Sequence, residues 1–574
     1  MDKTNLIEYA VIGAYFIFMI ITGIAFRRFN RNFSDYFRSG CRGTWWLVGG
    51  SVFMASFTAW TFTGAAGAAY EAGLAVAVIF FSNGLGYVVN ALITAPLFRQ
   101  MRAITGPEII RQRFDTVTQQ FYVWVGMIPG ILMSSLTLWG VALFASSVFG
   151  YNVQMLVVVL GLVVLIYSTL GGSWSVMATD FLQALILMPM TILVAWLSLK
   201  AVGGVDGLFA EIHTQGLDRM TGLVDVRPES AFNTTWALAI FTFVMITYNS
   251  FGSSSKYFTC KDGREARKAA LLAAVLMLAG AFLWFVPPII ARLKFDDAIH
   301  ALAAANPNIS NPGETAYAVI AMKLLPNGMT GMIVVAMFAA TMSSLSPAFN
   351  QNAAIITQDV YKPFLRPQAS DREMFIVGQI ASMVFGFLII LSALYFSMNQ
   401  KGGLFDYMLK FGSIFGTPTV IPMFLALFIR RTPPWSAIVS VLCSAPLSAL
   451  ALIYNWRYEY TVFSIVAAGS AGFLATMPWW RATAPEARER IGEFYRRMHT
   501  PVDFGREVGK PNDPAQLKLV GYVSLSIGLF MLLILLVPNP PAGRLQILFV
   551  AGSIIAFGGC MVLTGAAKQK RLQS

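Results

Sequence analysis

The sequence is poor in charged residues, histidine and cysteine. Asp, Glu, Lys and Arg make up 12% of its 574 residues, whereas a soluble protein of this size carries about a quarter. Too few charges remain to cover a water-facing surface, which excludes an ordinary soluble domain. The three histidines lie outside the long apolar runs, and the four cysteines show neither metal-ligand spacing nor a disulfide framework.

The sequence also lacks the motifs of nucleotide-driven and covalent catalysis. It has no phosphate-binding loop, kinase motif or dinucleotide fingerprint, and no nucleophile or metal constellation within an apolar run. Its largest polar segments, 201–231, 294–328 and 481–516, are too short for an independent catalytic domain. We therefore expect neither an enzyme nor a pump that hydrolyses a nucleotide on this chain.

Long apolar runs dominate the rest of the chain. Hydrophobic residues make up 56% of the sequence and collect in blocks of about 20, enough for a helix to cross roughly 30 Å of hydrocarbon. Backbone amides in lipid must be satisfied within their own segment, so we interpret these blocks as helices. The sequence predicts an all-α polytopic membrane protein with about 15 transmembrane helices.

The positions of the basic residues predict the orientation of these helices. With the N-terminus outside and the spans alternating, cytoplasmic segments and their edges hold 30 of the 41 Lys and Arg residues, as expected from the positive-inside rule. The net charge of +13 is then an orientation signal with membrane lipid as a partner, not a sign of nucleic acid binding. The C-terminus would be cytoplasmic. Short loops and unpaired cysteines suit a bacterial inner membrane.

Two predicted spans contain small, polar or helix-breaking residues in their middle. One passes through 49–67 and the other through 247–255, five spans later and oppositely oriented. Two inverted five-helix repeats with broken first and sixth core helices would place breaks at these positions. Such breaks offer free carbonyls to a cation and helix N-termini to an anionic group. Small residues also serve close helix packing, but their matched positions favour a functional interpretation.

This pattern divides the chain into five parts. They are an N-terminal extra helix with a basic cytoplasmic loop (1–44), the first repeat (45–200), an extracellular loop (201–231), the second repeat (232–429) and a C-terminal part with extra helices (430–574). The C-terminal part includes the cytoplasmic loop 481–516, in which the pattern from Glu486 to Met498 predicts an amphipathic helix.

Hydroxyl groups in one span and an acid in another are candidates for binding a cation. Ser343 and Ser346 share a helix face, with Ser344 beside them, and sodium favours oxygen ligands. The serines would otherwise bond to their own helix and bend it. Asp180, one turn inside a span among apolar neighbours, is a functional candidate by its position. It would pair with a cation or hold a cytoplasmic-side arginine as a structural latch.

Several stretches together carry a family resemblance. They are Gly171-Gly172 through Thr179-Asp180 with Gln183, Met342 through Ser346 and on to Thr357–Tyr361, Gly64 with Gly67 and Tyr70, and Lys256-Tyr257-Phe258 with the charged residues after it. In this order they resemble the sodium:solute symporter family, of the sodium–glucose cotransporter type, over roughly residues 6–455.

The resemblance implies a leucine-transporter-type fold and one Na⁺ between the first and eighth core helices. Its ligands would be the carbonyls of Met54, Phe57 and Ala340 and the hydroxyls of Ser343 and Ser344. A second cation site, present in some members, would use Asp180 and Ser346. In this chain Pro347 stands where a further hydroxyl is needed, and Ser255-Lys256 replaces the usual Gln-Arg after the sixth core helix.

The resemblance also implies where the solute binds. The candidate residues, on four core helices, are Phe53, Ser56, Trp60, Thr61, Phe80, Asn83, Tyr248, Asn249, Ser250 and Lys410. Trp60 and Tyr248 would stack on a ring or merely pack. Lys410 would meet a carboxylate, or else snorkel or pair with Asp406, which we favour. A sugar, a sialic-acid-like acid, an amino acid and a small carboxylate are all compatible with these residues, and a sugar or sugar acid is favoured over an amino acid.

These observations predict a sodium-coupled symporter that imports a small polar organic solute by alternating access. Two alternatives stay open. A proton-coupled symporter of the same fold would use Asp180. A transporter-like sensor module would normally carry a kinase domain, whereas only a few residues follow the last predicted span.

Overall fold

The fold is described from a computed structural model that covers most of the chain. It describes residues 8–15, 17, 39–103, 105–170, 173–225, 230–305, 309, 311–399, 403–509 and 511–573, without the side chains of 39, 167–170, 173–176, 346, 347, 349–351, 371 and 571–573. These residues form helices and turns. Within them there is no β-strand, only the isolated bridges Gly43–Cys260 and Asp225–Asn233.

The α-helices are numbered in chain order. Those up to residue 305 are α1 (Trp45–Ala55), α2 (Gly64–Ala72), α3 (Ala77–Val89), α4 (Ala95–Gln100), α5 (Gly106–Arg113), α6 (Thr116–Phe149), α7 (Val153–Leu170), α8 (Ser173–Ala201), α9 (Gly204–Thr214), α10 (Thr234–Tyr248) and α11 (Gly263–Ala305). The remainder are α12 (Ala316–Leu324), α13 (Met329–Ile355), α14 (Asp371–Met398), α15 (Leu404–Phe411), α16 (Thr417–Phe428), α17 (Ser436–Ile453), α18 (Tyr458–Ala475), α19 (Pro485–Met498), α20 (Phe504–Glu507), α21 (Asp513–Leu532) and α22 (Pro541–Gln573).

The described residues contain ten helical stretches that are long and apolar enough to cross a membrane. Four shorter apolar helices accompany them, at Trp45–Ala55, Val153–Ile166, Thr234–Tyr248 and Met329–Leu345. An all-α polytopic membrane protein is thereby confirmed. The count of about 15 spans and the inverted repeats stay predictions, because most of the first predicted span lies outside the described residues.

Two helices break in mid-course, where the small and polar residues predict it. α1 ends at Ala55, and the chain continues through an irregular stretch and the 3₁₀ turn Ala59–Phe62 before α2 begins. α10 ends at Tyr248, and two further 3₁₀ turns, Phe251–Ser253 and Ser255–Thr259, follow it. Both breaks leave terminal backbone groups outside the helical hydrogen-bond ladder, where they bond to side chains of neighbouring segments, as the Met54 carbonyl does to Ser343 and the Tyr248 carbonyl to Asn90.

The first break lies inside the helix bundle. α1 packs against α8, α11 and α13, and Gly49 permits the approach to α11, since a Cβ there would lie 2.9 Å from the Ala269 carbonyl oxygen. Small residues near the break therefore serve packing as well.

Two features of the helices are not apparent in the sequence pattern. α11 extends far into the polar segment 294–328, with a kink at Phe295 (φ −132°). Three stretches are π-helical, at Asn90–Thr94, Ile356–Leu365 and Gly412–Gly416, and the last joins α15 to α16. Hydropathy gives the length of apolar sequence but not helix geometry.

Candidate functional site

The end of α1 meets α13 through a cluster of oxygen atoms. Ser343 Oγ lies 2.7 Å from the Ala340 carbonyl oxygen and 3.0 Å from that of Met54. Ser344 Oγ lies 3.5 Å from both the Phe57 and the Ala340 carbonyl oxygens. The structure thus brings together all five residues expected to bind sodium, although they come from segments almost 300 residues apart in the chain.

The chemistry of this cluster fits a hard monovalent cation. All five atoms are neutral oxygens, three from the backbone and two from serine hydroxyls. Met54 belongs to the last turn of α1, where terminal carbonyls give a helix its partial negative charge. Without a carboxylate in the set, this partial charge and the oxygen dipoles suit a charge of +1 better than a divalent metal. Ser343 is buried and Ser344 half-buried.

In the structure, the Asp180 carboxylate forms an ion pair with the ammonium group of Lys256. Lys256 Nζ lies 3.1 Å from Asp180 Oδ2 and 2.7 Å from Ser51 Oγ. The Ser51 hydroxyl donates to the same carboxylate oxygen over 2.5 Å. This arrangement corresponds to the structural latch, with a lysine in place of the expected arginine. The side chain of Ser346 lies outside the described residues, and a second cation site at Asp180 and Ser346 stays a prediction.

Half-buried side chains lie around the two breaks, namely Ser56, Trp60, Tyr248 and Phe405. The Trp60 ring stacks on Phe405 at the start of α15, with centroids 5.7 Å apart and planes 12° from parallel. On the other side of the break, the Ser56 hydroxyl is hydrogen bonded to the Tyr87 hydroxyl, whose ring lies 4.7 Å from that of Tyr248. Among the predicted solute contacts, Ser56 and Tyr248 are thus brought together at Tyr87, whereas Trp60 lies against Phe405.

Other predicted solute contacts are packed into the bundle. Phe53 and Phe80 are buried against Trp284, with centroid distances of 6.1 and 5.1 Å. Thr61 and Asn83 are also buried. For these residues, contact with a solute stays a prediction, and their packing positions the break.

The predicted contacts directly after α10 and on α15 also bond to neighbouring protein groups. Asn249 Oδ1 accepts from the Thr94 hydroxyl over 2.7 Å, and the Ser250 hydroxyl donates to the Thr247 carbonyl over 3.0 Å. Lys410 Nζ donates to Asn455 Oδ1 over 2.6 Å. This position of Lys410 matches the snorkelling interpretation better than the binding of a solute carboxylate.

The structure adds residues on α3 and the π turn that the sequence pattern does not reveal. Tyr87 contacts both Ser56 and Tyr248. Asn90 Nδ2 donates to the Tyr248 carbonyl over 2.9 Å and so fixes the end of α10. A signal for Asn90 exists in the sequence, since an amide within a long apolar run needs a polar partner. Tyr87 gives no such signal, because tyrosine is common in apolar helices.

Comparison with known proteins decides the family. A model of the sodium:solute symporter family matches residues 36–443, more than half of the chain. The chain belongs to the sodium:solute symporter family. The family expected from the motifs is therefore confirmed.

Individual relatives agree with this assignment. The chain is 27% identical to the rat sodium/myo-inositol cotransporter 2, over 89% of this chain and 82% of that protein. It is also 27% identical to the sodium/glucose cotransporter of Vibrio parahaemolyticus, over 77% of this chain and 84% of that protein.

Solved structures show the same fold. A Na⁺-coupled sialic acid symporter, solved substrate-bound and outward-open, superposes with a TM-score of 0.70 at 20% identity, covering 83% of this chain and 98% of that one. A nucleobase–cation symport family transporter in a closed conformation gives 0.53 at 15% identity, over 81% and 99%. This protein is thus a membrane transporter with Na⁺ as its coupling ion, and not an enzyme.

Proposed function

We propose that this protein imports a small polar organic solute, a sugar or sugar acid, together with one Na⁺ bound by Met54, Phe57, Ala340, Ser343 and Ser344. The observation that carries the proposal is the convergence of these five oxygens at the break in the first core helix. Asp180 is compensated by Lys256, which favours a single Na⁺ over two.

The position of this cluster explains how ion and solute are coupled. Na⁺ would bridge α13 and the end of α1, and so order the irregular stretch that carries Ser56 and Trp60. Ordering these groups raises the affinity for solute, and by linkage the solute raises the affinity for Na⁺ equally. One inward charge gains about 2.3 kcal/mol for every 100 mV of membrane potential.

The groups around the breaks favour a polyhydroxyl ring as solute. Aromatic faces from Trp60, Phe405 and Tyr248 suit the apolar faces of a sugar or cyclic polyol. The Ser56 and Tyr87 hydroxyls, which bond to each other in the structure, would exchange that bond for hydrogen bonds to the solute. Lys256, after the end of α10, and Lys410 on α15 are paired elsewhere, with Asp180 and Asn455. A neutral sugar or polyol is therefore favoured over a sugar acid.

Thermal unfolding of the purified protein tests the ion site. We expect NaCl to raise Tm relative to KCl and choline chloride at equal ionic strength. One site at about 100 times its Kd adds about 2.7 kcal/mol. Ser343→Ala should abolish the sodium-specific rise. Thr341→Val is the matched control. Among the residues that the structure describes, the Thr341 hydroxyl bonds within its own helix, to the Met337 carbonyl, and this variant should keep the rise.

Uptake into proteoliposomes tests the solute. We expect a sodium gradient to drive accumulation of myo-inositol or glucose more strongly than of N-acetylneuraminic acid. Accumulation driven by a proton gradient alone would replace the proposal with proton coupling. Solute-induced stabilisation without any accumulation would indicate a sensor. A Tm that is insensitive to sodium in the wild type would reject the site itself.

A further inference from the structure

Glu314 is a buried acid on the side of the protein that the predicted topology places outside. It lies in the 3₁₀ turn Pro312–Thr315, between α11 and α12, and only 1% of it is exposed. Its Oε1 accepts a hydrogen bond from the backbone N–H of Leu404 over 2.5 Å, at the first residue of α15. Its Oε2 is buried without a hydrogen-bond partner among the described residues.

This carboxyl group bonds to the start of α15, and its turn packs on α2; both elements adjoin Trp60 of the proposed solute site. α15 carries Phe405, which stacks on Trp60. α2 follows Trp60 and packs so closely on the turn that a Cβ at Gly67 would lie 2.9 Å from the Glu314 backbone nitrogen. Glu314 therefore holds α15 in place over α2, and the π turn Gly412–Gly416 behind α15 gives this short helix a place to bend.

Several charged and titratable groups lie on the elements packed against this turn, and within the described part of the chain none forms an ion pair with Glu314. They are Tyr70 and Glu71 on α2, Arg292, Asp296 and His300 on α11, Tyr317 on α12, and Asp406 and Lys410 on α15. Arg292 is engaged with the carbonyls of Tyr70 and Glu71. The acids Glu71 and Asp406 both oppose ionisation of Glu314.

Burial, the largest effect, raises the pKa of Glu314 to about 8, and the hydrogen bond from Leu404 offsets only part of this rise. A hydrated glutamate titrates near pH 4.3. Between these values the carboxyl group is neutral when buried at this turn and ionised when hydrated. The neutral form thus stabilises the closed arrangement at low pH, and this stabilisation is lost as the pH rises through about 8.

We propose that Glu314 is a positioning residue that takes up a proton from the external solution as α15 closes over the solute site, and returns it to the same side on opening. External alkalinity would then favour the open arrangement. Because the proton enters and leaves on one side, it regulates the cycle without being transported. The proposal depends on neither the identity of the solute nor the sodium ligands.

Hydrogen exchange of the backbone amides of Leu404–Phe411 tests this, in the purified protein without sodium or solute. After correction for intrinsic exchange, we expect wild-type protection to fall by at least about tenfold from pH 6 to pH 9. Glu314→Gln, which mimics the neutral form, should keep its protection across this range. His300→Gln is the matched control and should behave as wild type. Burial also raises the pKa of Asp359 to about 7. Because Asp359 lies beyond the far end of α13, its titration should not change the exchange measured at Leu404–Phe411.

The proposal would be overturned if protection in Glu314→Gln depended on pH as it does in the wild type. It would also be overturned if His300→Gln lost the pH dependence of protection. If Glu314→Gln fails to fold, Glu314→Asp should retain a pH-dependent profile, and a flat profile would reject the idea. In proteoliposomes with a fixed sodium gradient and fixed internal pH, uptake by the wild type should respond to external pH. In separate, weakly buffered proteoliposomes, internal acidification coupled to uptake would overturn the proposal, because the proton would then be transported.

Discussion

Among single residues, Lys256 and Asp180 form an ion pair that is nearly closed to solvent. The exposed fractions of their side chains are 20% and 1%. Removing one partner of such a pair leaves the other charge uncompensated and costs about 3–5 kcal/mol. We expect Lys256→Gln to lower Tm strongly in every salt, whereas Lys256→Arg, which retains the charge, should change it little.

A double variant separates charge compensation from a role in transport. Asp180→Asn with Lys256→Gln removes both charges, so much of the lost stability should return. If the double variant is as unstable as Lys256→Gln alone, the pair does not account for the loss. Recovery of sodium-driven uptake in the double variant would show that this acid holds the structure and does not carry a proton.

For interactions between single residues, the sequence identifies one partner but not the other. Asp180 is recognisable because an acid among apolar residues needs a partner. That partner depends on where the turns after α10 fold, which no local pattern specifies. The serines are candidates from their chemistry, but the full set of sodium ligands follows only from the family resemblance, because serines in a helix equally predict bonds to their own backbone.

Among the elements, α19 is anchored through a buried guanidinium. The Tyr495 hydroxyl donates to the Ala426 carbonyl and accepts from Arg113 Nε over 2.9 Å. Arg113 also donates to the Ile429 carbonyl and the Thr432 hydroxyl, over 3.1 and 2.7 Å. Burial lowers the pKa of Arg113, and the carbonyls at the C-terminal end of α16 compensate its charge.

Loss of the Tyr495 hydroxyl should therefore loosen α19. We expect Tyr495→Phe to cost about 1–3 kcal/mol, because it leaves buried polar groups unpaired. The loss should appear as a lower Tm and as faster hydrogen exchange within α19. Tyr458→Phe is the control, since that buried hydroxyl has no hydrogen-bond partner among the described residues. An equal effect of both substitutions would contradict this account.

The sequence predicts α19 well, but not its contacts. The apolar periodicity from Glu486 to Met498 gives the amphipathic helix almost to its observed bounds, Pro485–Met498. Its apolar face must be covered, and the structure shows that α5 and the end of α16 cover it. Periodicity shows which face is buried, but the covering surface is set by the tertiary fold.

For the whole molecule, the distribution of basic residues makes the orientation testable. In a variant without the exposed Cys443 and Cys560, single cysteines replace Asp218 in the first large polar segment and Arg488 on α19. We expect a membrane-impermeant maleimide added to intact cells to label Asp218→Cys and not Arg488→Cys. The opposite pattern would reverse the predicted topology, and labelling of both would indicate leaky cells.

The fold class and both breaks could be predicted because each leaves a local trace. Apolar blocks of span length require helices in lipid, and small polar residues in mid-span mark the interruptions. The great length of α11, which includes Pro287 and Pro288, and the π-helical stretches leave no such trace. They arise from how neighbouring helices pack.

The π-helical stretch at Gly412–Gly416 also limits how the length of this chain can vary. Successive residues of an α-helix are about 100° apart around its axis, and a π turn accommodates one additional residue. Deleting a single residue there would restore a regular α-helix and rotate one half against the other by about that angle. Phe405 would then turn away from Trp60. In related chains, insertions and deletions should gather in the connecting segments, and this membrane-embedded stretch should keep its number of residues.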